Sequence, residues 1–148
     1  MKIAHNLVFS VFEKEEDNRD SVERVFHSFL PLDFEKEKIM IIRKEASTVE
    51  SGDITIVELV LSKERHIRVF INALRSRLSN EQKTLLLRQA RSRLDSQFNF
   101  YMRLDKKSLL EGVSMITDEG NCFHLKINLA LFPKGMDAAK KLLEEIFK

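Results

Sequence analysis

The chain has 148 residues, 43% of them hydrophobic and 32% charged, with two prolines, four glycines and one cysteine. That length supports one domain over residues 1–148 with a real core; the composition excludes long linkers, and a lone cysteine excludes an internal disulfide or a cysteine-based zinc site. The 25 basic and 23 acidic residues nearly cancel at +2, yet residues 63–107 hold twelve Lys or Arg against four acids, a net +8 that leaves −6 for the remainder.

Residues 3–12 read as a first strand rather than a signal peptide, because His5, Asn6 and Ser10 interrupt the apolar run. Ile3, Leu7, Phe9 and Val11 share one face, with His5 an odd member. An acidic loop follows. Asp17 or Asn18 can then cap a helix through about Leu30, where Val22, Phe26 and Phe29 recur at helical spacing and Pro31 stops it. Residues 38–45 and 54–62 read as strands around a Ser/Gly turn. The alternation of the second slips between Ile56 and Val57, which fits burial on both faces or a bulge.

A helix from Lys63 to about Leu78 has the clearest periodicity. Ile67, Phe70, Ile71, Leu74 and Leu78 form one stripe and Arg65, Arg68, Asn72, Arg75 and Ser79 the opposite one. Ser79 and Gln82 fit a capping box, so a second helix restarts there, burying Leu86, Leu87, Ala90 and Leu94 and exposing Thr84, Arg88, Arg91 and Asp95. Residues 97–104 alternate as a strand, followed by a turn or short helix through Gly112. Residues 122–132 alternate again. A last helix from about Met136 buries Met136, Ala139, Leu143, Ile146 and Phe147. The expected order is β-α-β-β-α-α-β-β-α. It lacks the βαβ rhythm of a doubly wound fold and predicts an α+β two-layer sandwich, a mainly antiparallel sheet with helices on one face. No run approaches a membrane span, so no membrane partner is expected.

Guanidinium groups bind phosphates bidentately, and Arg65, Arg68 and Arg75 recur along one helix face with no acid between Arg65 and Arg77. Arg88 and Arg91 make a shorter row. The competing reading is a solvated helix face with local pairs, such as Arg91 with Asp95. If the two late strands pair antiparallel, Tyr101, Arg103, His124, Lys126 and Asn128 stand side by side. Several RNA-binding modules use such aromatic, basic sheet faces to hold unpaired bases; the alternative is an ordinary solvated face. Catalytic signatures are poor. His5, His27, His66 and His124 are scattered, no glycine-rich phosphate loop exists, and the acids of the basic stretch form no cluster. No catalytic residue, metal or cofactor is expected, and the chain reads as a non-enzyme. Cys122 reads as half-buried and inert.

The run Asn99-Phe100-Tyr101-Met102-Arg103-Leu104-Asp105-Lys106-Lys107, then Leu110-Glu111-Gly112 and His124-Leu125-Lys126-Ile127, carries a resemblance, as do Ala4-His5-Asn6-Leu7 and Phe29-Leu30-Pro31. Together they resemble an archaeal family of small proteins described as RNA-binding and as predicted exosome subunits. The family's fold is similar to that of the ribosomal protein that binds 5S RNA, an α+β sandwich compatible with the order above. In one place the chain departs: the family's loop after the second strand contains Gly, His and Asn, whereas residues 46–53 here have neither His nor Asn. If relatives contact RNA there, this chain binds weakly or elsewhere.

The expectation is therefore a non-catalytic cytoplasmic RNA-binding protein in RNA processing or exosome-linked decay. Arg65, Arg68, Arg75, Arg88 and Arg91 would hold phosphates. Tyr101 and Arg103 would meet bases or sugar edges, and Lys106, Lys107 and Lys126 would add field. The alternative is an adaptor, or a homodimer, that docks an acidic partner through the basic face.

Overall fold

A computed structural model describes residues 2–49 and 52–148. Among them the elements run β1 (Ala4–Lys14), α1 (Arg19–Phe29), α2 (Phe34–Glu37), β2 (Ile41–Thr48), β3 (Gly52–Leu61), α3 (Glu64–Arg77), α4 (Asn80–Arg88), β4 (Asn99–Asp105), α5 (Lys106–Leu110), β5 (Cys122–Leu129) and α6 (Met136–Ile146). The expected order holds, with two short helices added. The four-residue α2 is too short to show a period. It starts where the Asp33 carboxylate accepts from the Lys36 N–H (3.1 Å) and stops where Lys38 turns left-handed, φ 58°. Residues 50 and 51 of the expected Ser/Gly turn lie outside the described residues.

The five strands form one antiparallel sheet in the order β2-β3-β1-β5-β4. Strand side chains alternate between faces. Leu7, Phe9 and Val11, with Val57, Leu59 and Leu61, Phe100, Met102 and Leu104, and Phe123, Leu125 and Ile127, bury one face almost completely. Helices cover this face with Val22, Phe26 and Phe29 of α1, Ile67, Phe70 and Leu74 of α3, and Leu143 and Ile146 of α6. Phe9 is the hub: its ring centroid lies 5.1–5.3 Å from those of Phe26, Phe29, Phe70 and Phe123. Burying a side chain of this kind contributes roughly 1.5–3 kcal/mol. Among the described residues no helix covers the other face, and Phe12, Ile42, Val60 and Tyr101 are exposed on it.

Two irregularities of the sequence now have physical causes. The register between β1 and β5 shifts between Ala4 and Asn6, so His5 sits at a bulge; it points to solvent while Ala4 and Leu7 are both buried. The slip at Ile56 and Val57 is no bulge, since β3 keeps an unbroken register with β1. Ile56 is half-buried on the open face, while Val57 enters the core.

The helix expected through Asp95 ends at Arg88. Residues beyond it unwind into turns that lie along the β4 edge, where the Tyr101 N–H donates to the Arg93 carbonyl (2.9 Å) and the Asp95 N–H to the Asn99 carbonyl (3.1 Å). A helical backbone could not offer these groups to a strand. Farther along the same edge, Asp105 N–H donates to the Met115 carbonyl (2.8 Å) and Thr117 N–H to the Arg103 carbonyl (3.0 Å). The β4 edge is thus covered on both sides of a gap at Met102.

Candidate nucleic-acid interface

On the open face the pairing of β4 with β5 sets Tyr101 opposite Lys126, Arg103 opposite His124 and Asn99 opposite Asn128. Tyr101, Arg103, His124, Lys126 and Asn128 thus stand side by side as the sequence predicts, with Asn99 added to them. β1 extends the rows, with Val8 beside Lys126 and Ser10 beside His124, and β3 adds Val60 and Glu58. The face therefore grades from a basic, aromatic half on β4 and β5 to a more apolar half on β1, β2 and β3, which also carries Ser10, Glu58 and Lys44.

Tyr101 is 42% exposed, yet its phenol is pinned, donating to Asp95 Oδ2 at 2.9 Å. Asp95 also accepts from the Gln97 N–H (2.9 Å), the Asn99 N–H (2.9 Å) and Asn99 Nδ2 (3.0 Å). This is an Asx-type turn, and Phe98 takes the left-handed φ of 59° within it. The Asn99 side chain and backbone, with help from Tyr101 and Gln97, bring the Asp95 carboxyl down to about 2; the same bond raises the Tyr101 phenol above its ordinary value. Buried Asn99 in turn accepts from Asn128 Nδ2 at 2.9 Å.

Beside Tyr101, at the gap in the β4 edge, an open cleft of about 440 Å³ is lined by Gln89, Arg93, Asp95, Tyr101, Arg103 and Asp118, among others. The Arg93 side chain is 10% exposed and donates twice to Gln89 Oε1, at 2.7 and 3.1 Å, and to Asp118 Oδ1 at 3.3 Å. Arg103 Nη1 donates to the Asp118 carbonyl at 3.0 Å. Sequence reasoning passed over Arg93 and Asp118 as site residues, because their meeting depends on the 89–95 segment leaving the helix. Asp95 was legible only as a partner of Arg91. The run Asp-Ser-Gln-Phe-Asn ahead of a strand is the turn signal that marks its other role.

The helical arginines lie on the opposite layer and do not converge with this face. Each of the three on α3 has a partner within the molecule. Arg65 pairs with Glu37 (2.7 Å) and Arg68 with Glu64 (3.0 Å). Arg75 donates to Asn72 (2.6 Å) and to the carbonyls of Glu145 and Ile146 (both 3.4 Å), at the end of α6 where the helix dipole favours a cation. Arg88 and Arg91 are exposed, with no ion pair among the described residues, but only Arg88 is helical; Arg91 stands in the turns beyond. The local pair of Arg91 with Asp95, offered by the competing reading of a solvated helix face, does not form.

Lys106 is the clearest departure from expectation. It is 6% exposed, and its ammonium donates to the Phe12 carbonyl (2.8 Å) and to Asp17 Oδ2 (2.5 Å). It ties α5 to the end of β1, and its ammonium is engaged within the fold. The alternation of β4 ends at Asp105, which caps α5 by accepting from the Ser108 N–H (2.9 Å), so the next residue turns inward. Lys107 beside it is exposed and Lys126 half-buried on the open face.

Cys122 and His124 lie 3.5 Å apart on β5. Burial pushes the Cys122 thiol up, and burial together with the Arg103 charge holds His124 below the usual imidazole value. Cys122, read as half-buried, is 5% exposed. Neither group is activated as a thiolate or a cation. Among the described residues no three His, Cys, Asp or Glu side chains form a group fit to hold a metal ion, and no helix is long and apolar enough to cross a membrane.

An antiparallel sheet with helices on one side and an aromatic, cationic patch on the other defines an α+β two-layer protein. The chain belongs to the family described as RNA binding, whose pattern it matches over residues 6–129. It is similar to the RNA-binding protein PAB1135 of Pyrococcus abyssi, 24% identical over 142 residues, covering 96% of this chain and 92% of that one. In fold it is similar to Mth689, a DUF54 protein from Methanothermobacter thermautotrophicus, at a TM-score of 0.77 and 22% identity with 99% of each chain covered. It is similar also to SSO0741 of Sulfolobus solfataricus, another DUF54 protein, at a TM-score of 0.73 and 18% identity over 95% of this chain and 93% of that one.

Proposed function

We propose that this chain is a non-catalytic RNA-binding protein that takes single-stranded RNA on the open face of β4 and β5. The observation that carries the reading is Tyr101, exposed, pinned by Asp95, opposite Lys126 and on the same strand face as Arg103. An aromatic plane stacks bases and the neighbouring cations hold phosphates. Arg88, Arg91 and Lys107 add field. Arg65, Arg68 and Arg75 contribute less, because each already has a partner in the fold. The setting is cytoplasmic RNA processing, with an exosome-linked role as the narrower version. Fluorescence anisotropy of single-stranded RNA, hairpin RNA and duplex DNA, titrated across salt, tests it. Single-stranded RNA binds most tightly, with an affinity that falls steeply as salt rises. Equal binding of all three ligands would remove the sheet face from the account.

A second reading, a homodimer, is favoured by the apolar half of the same face, where Phe12 is 48%, Val60 47% and Ile42 39% exposed. Light scattering across protein concentration decides it: a monomer throughout excludes the dimer.

A further inference from the structure

We propose that the cleft between residues 89–95 and β4 is a subsite for one unpaired guanine of the bound RNA. This rests on the RNA-binding reading above and names what that face selects. The cleft, at about 440 Å³, falls within the range of small-ligand sites, about 300–1,000 Å³. It opens beside Tyr101, whose ring Asp95 fixes as a stacking plane before any ligand arrives.

The polar groups supply the selection. Asp118 Oδ1 accepts from Arg93, while Asp118 Oδ2 has no partner among the described residues and the side chain is 79% exposed. Arg103 uses one N–H on the Asp118 carbonyl and keeps its other donors free. The Asp118 carboxylate, paired with Arg93 at 3.3 Å, and the Arg103 guanidinium, bonded to the Asp118 carbonyl, thus line the same cleft. Guanine presents two donors, N1–H and the N2 amino group, followed in order by two acceptors, O6 and N7. The donors match the carboxylate and the acceptors match the guanidinium. Adenine alternates acceptor with donor along the same edge, cytosine presents two acceptors and then one donor, and uracil has one donor between two acceptors, so each leaves a group unmatched.

The experiment uses a short oligouridine carrying one central guanosine, with inosine and adenosine versions of the same strand. Inosine keeps every guanine group on this edge except the N2 amino group. The expected result is that the wild-type chain binds the guanosine strand about tenfold more tightly than the inosine strand. Asp118→Ala abolishes that ratio while leaving uridine-only binding in place, which a general loss of charge or folding would not do. Tyr101→Leu weakens the guanosine strand about tenfold, with an unchanged circular dichroism spectrum. Equal affinity for the three strands overturns the subsite and leaves the RNA-binding reading standing. Failure to bind any RNA overturns both.

Discussion

Two regions of one basic stretch are used in opposite ways. On α3 the guanidinium groups are absorbed by the molecule itself, by Glu37, by Glu64 and by the carbonyl end of α6. On β4 and β5 the cations stand on a face that no helix covers, around an aromatic ring held by a saturated carboxylate. Charge density along a sequence therefore says little about charge available to a ligand. What matters is whether the packing of neighbouring elements brings acids or helix ends to the same cations.

The comparison depends on both regions sharing one core, and Phe9 joins them by touching rings from α1, α3 and β5. Phe9→Ala is expected to cost about 3–5 kcal/mol, read by urea unfolding, and to disable both regions together. Loss of RNA binding by one region alone would break the shared-core premise.

Lys106→Met comes next, at about 3 kcal/mol, because it strands Asp17 beside an apolar side chain. Burial works against the Asp17 charge, but the hydrogen bonds and charges of Lys106 and Lys14 outweigh it, and the carboxyl titrates below its ordinary value. The lowered value means that ionised Asp17 stabilises the fold fully above its unfolded value, about pH 3.9, and that this contribution is lost as pH falls through the folded value. Unfolding monitored across acid pH should show that loss in the wild-type chain and a weaker one in Lys106→Met.

The sharpest test of the two regions is a pair of variants. Arg103→Gln with Lys126→Gln is expected to weaken single-stranded RNA about tenfold and to lower the salt slope by about 1.4. The triple Arg65→Ala, Arg68→Ala, Arg75→Ala is expected to lower that slope by less than about one, since these charges are already paired. The reverse order would move the interface to the helical layer. The smallest effect concerns pH. His124 titrates below the usual imidazole value and Asp95 near 2, so affinity should change little between about pH 8 and 7. A steep rise on acidification within that window would show that His124 charges earlier than its burial allows.

Much of this architecture was legible in the residues. Phe100, Met102 and Leu104 alternate against Tyr101 and Arg103 because a strand must send neighbours to opposite faces, and the pairing with β5 followed from a matching alternation. The stripe of α3 and the capping box at Ser79 rest on equally local geometry. The bulge at His5 left a trace as the odd polar member of an apolar face, although its cause lay in the partner strand. Lys106 left none. A lysine beside a lysine in a basic run reads as surface, and only the approach of Asp17 and the Phe12 carbonyl turns it inward.

The sequence by itself determined most of the elements and which residues of each share a face, because period and capping are properties of neighbours along the chain. Tertiary structure alone decided which cations remain free, where α4 ends, and that Arg93, Arg103 and Asp118 enclose one cleft. Several of those outcomes depend on groups far apart in the chain, 15 positions for Arg103 with Asp118 and 94 for Lys106 with Phe12, and no local pattern records which distant partner will arrive.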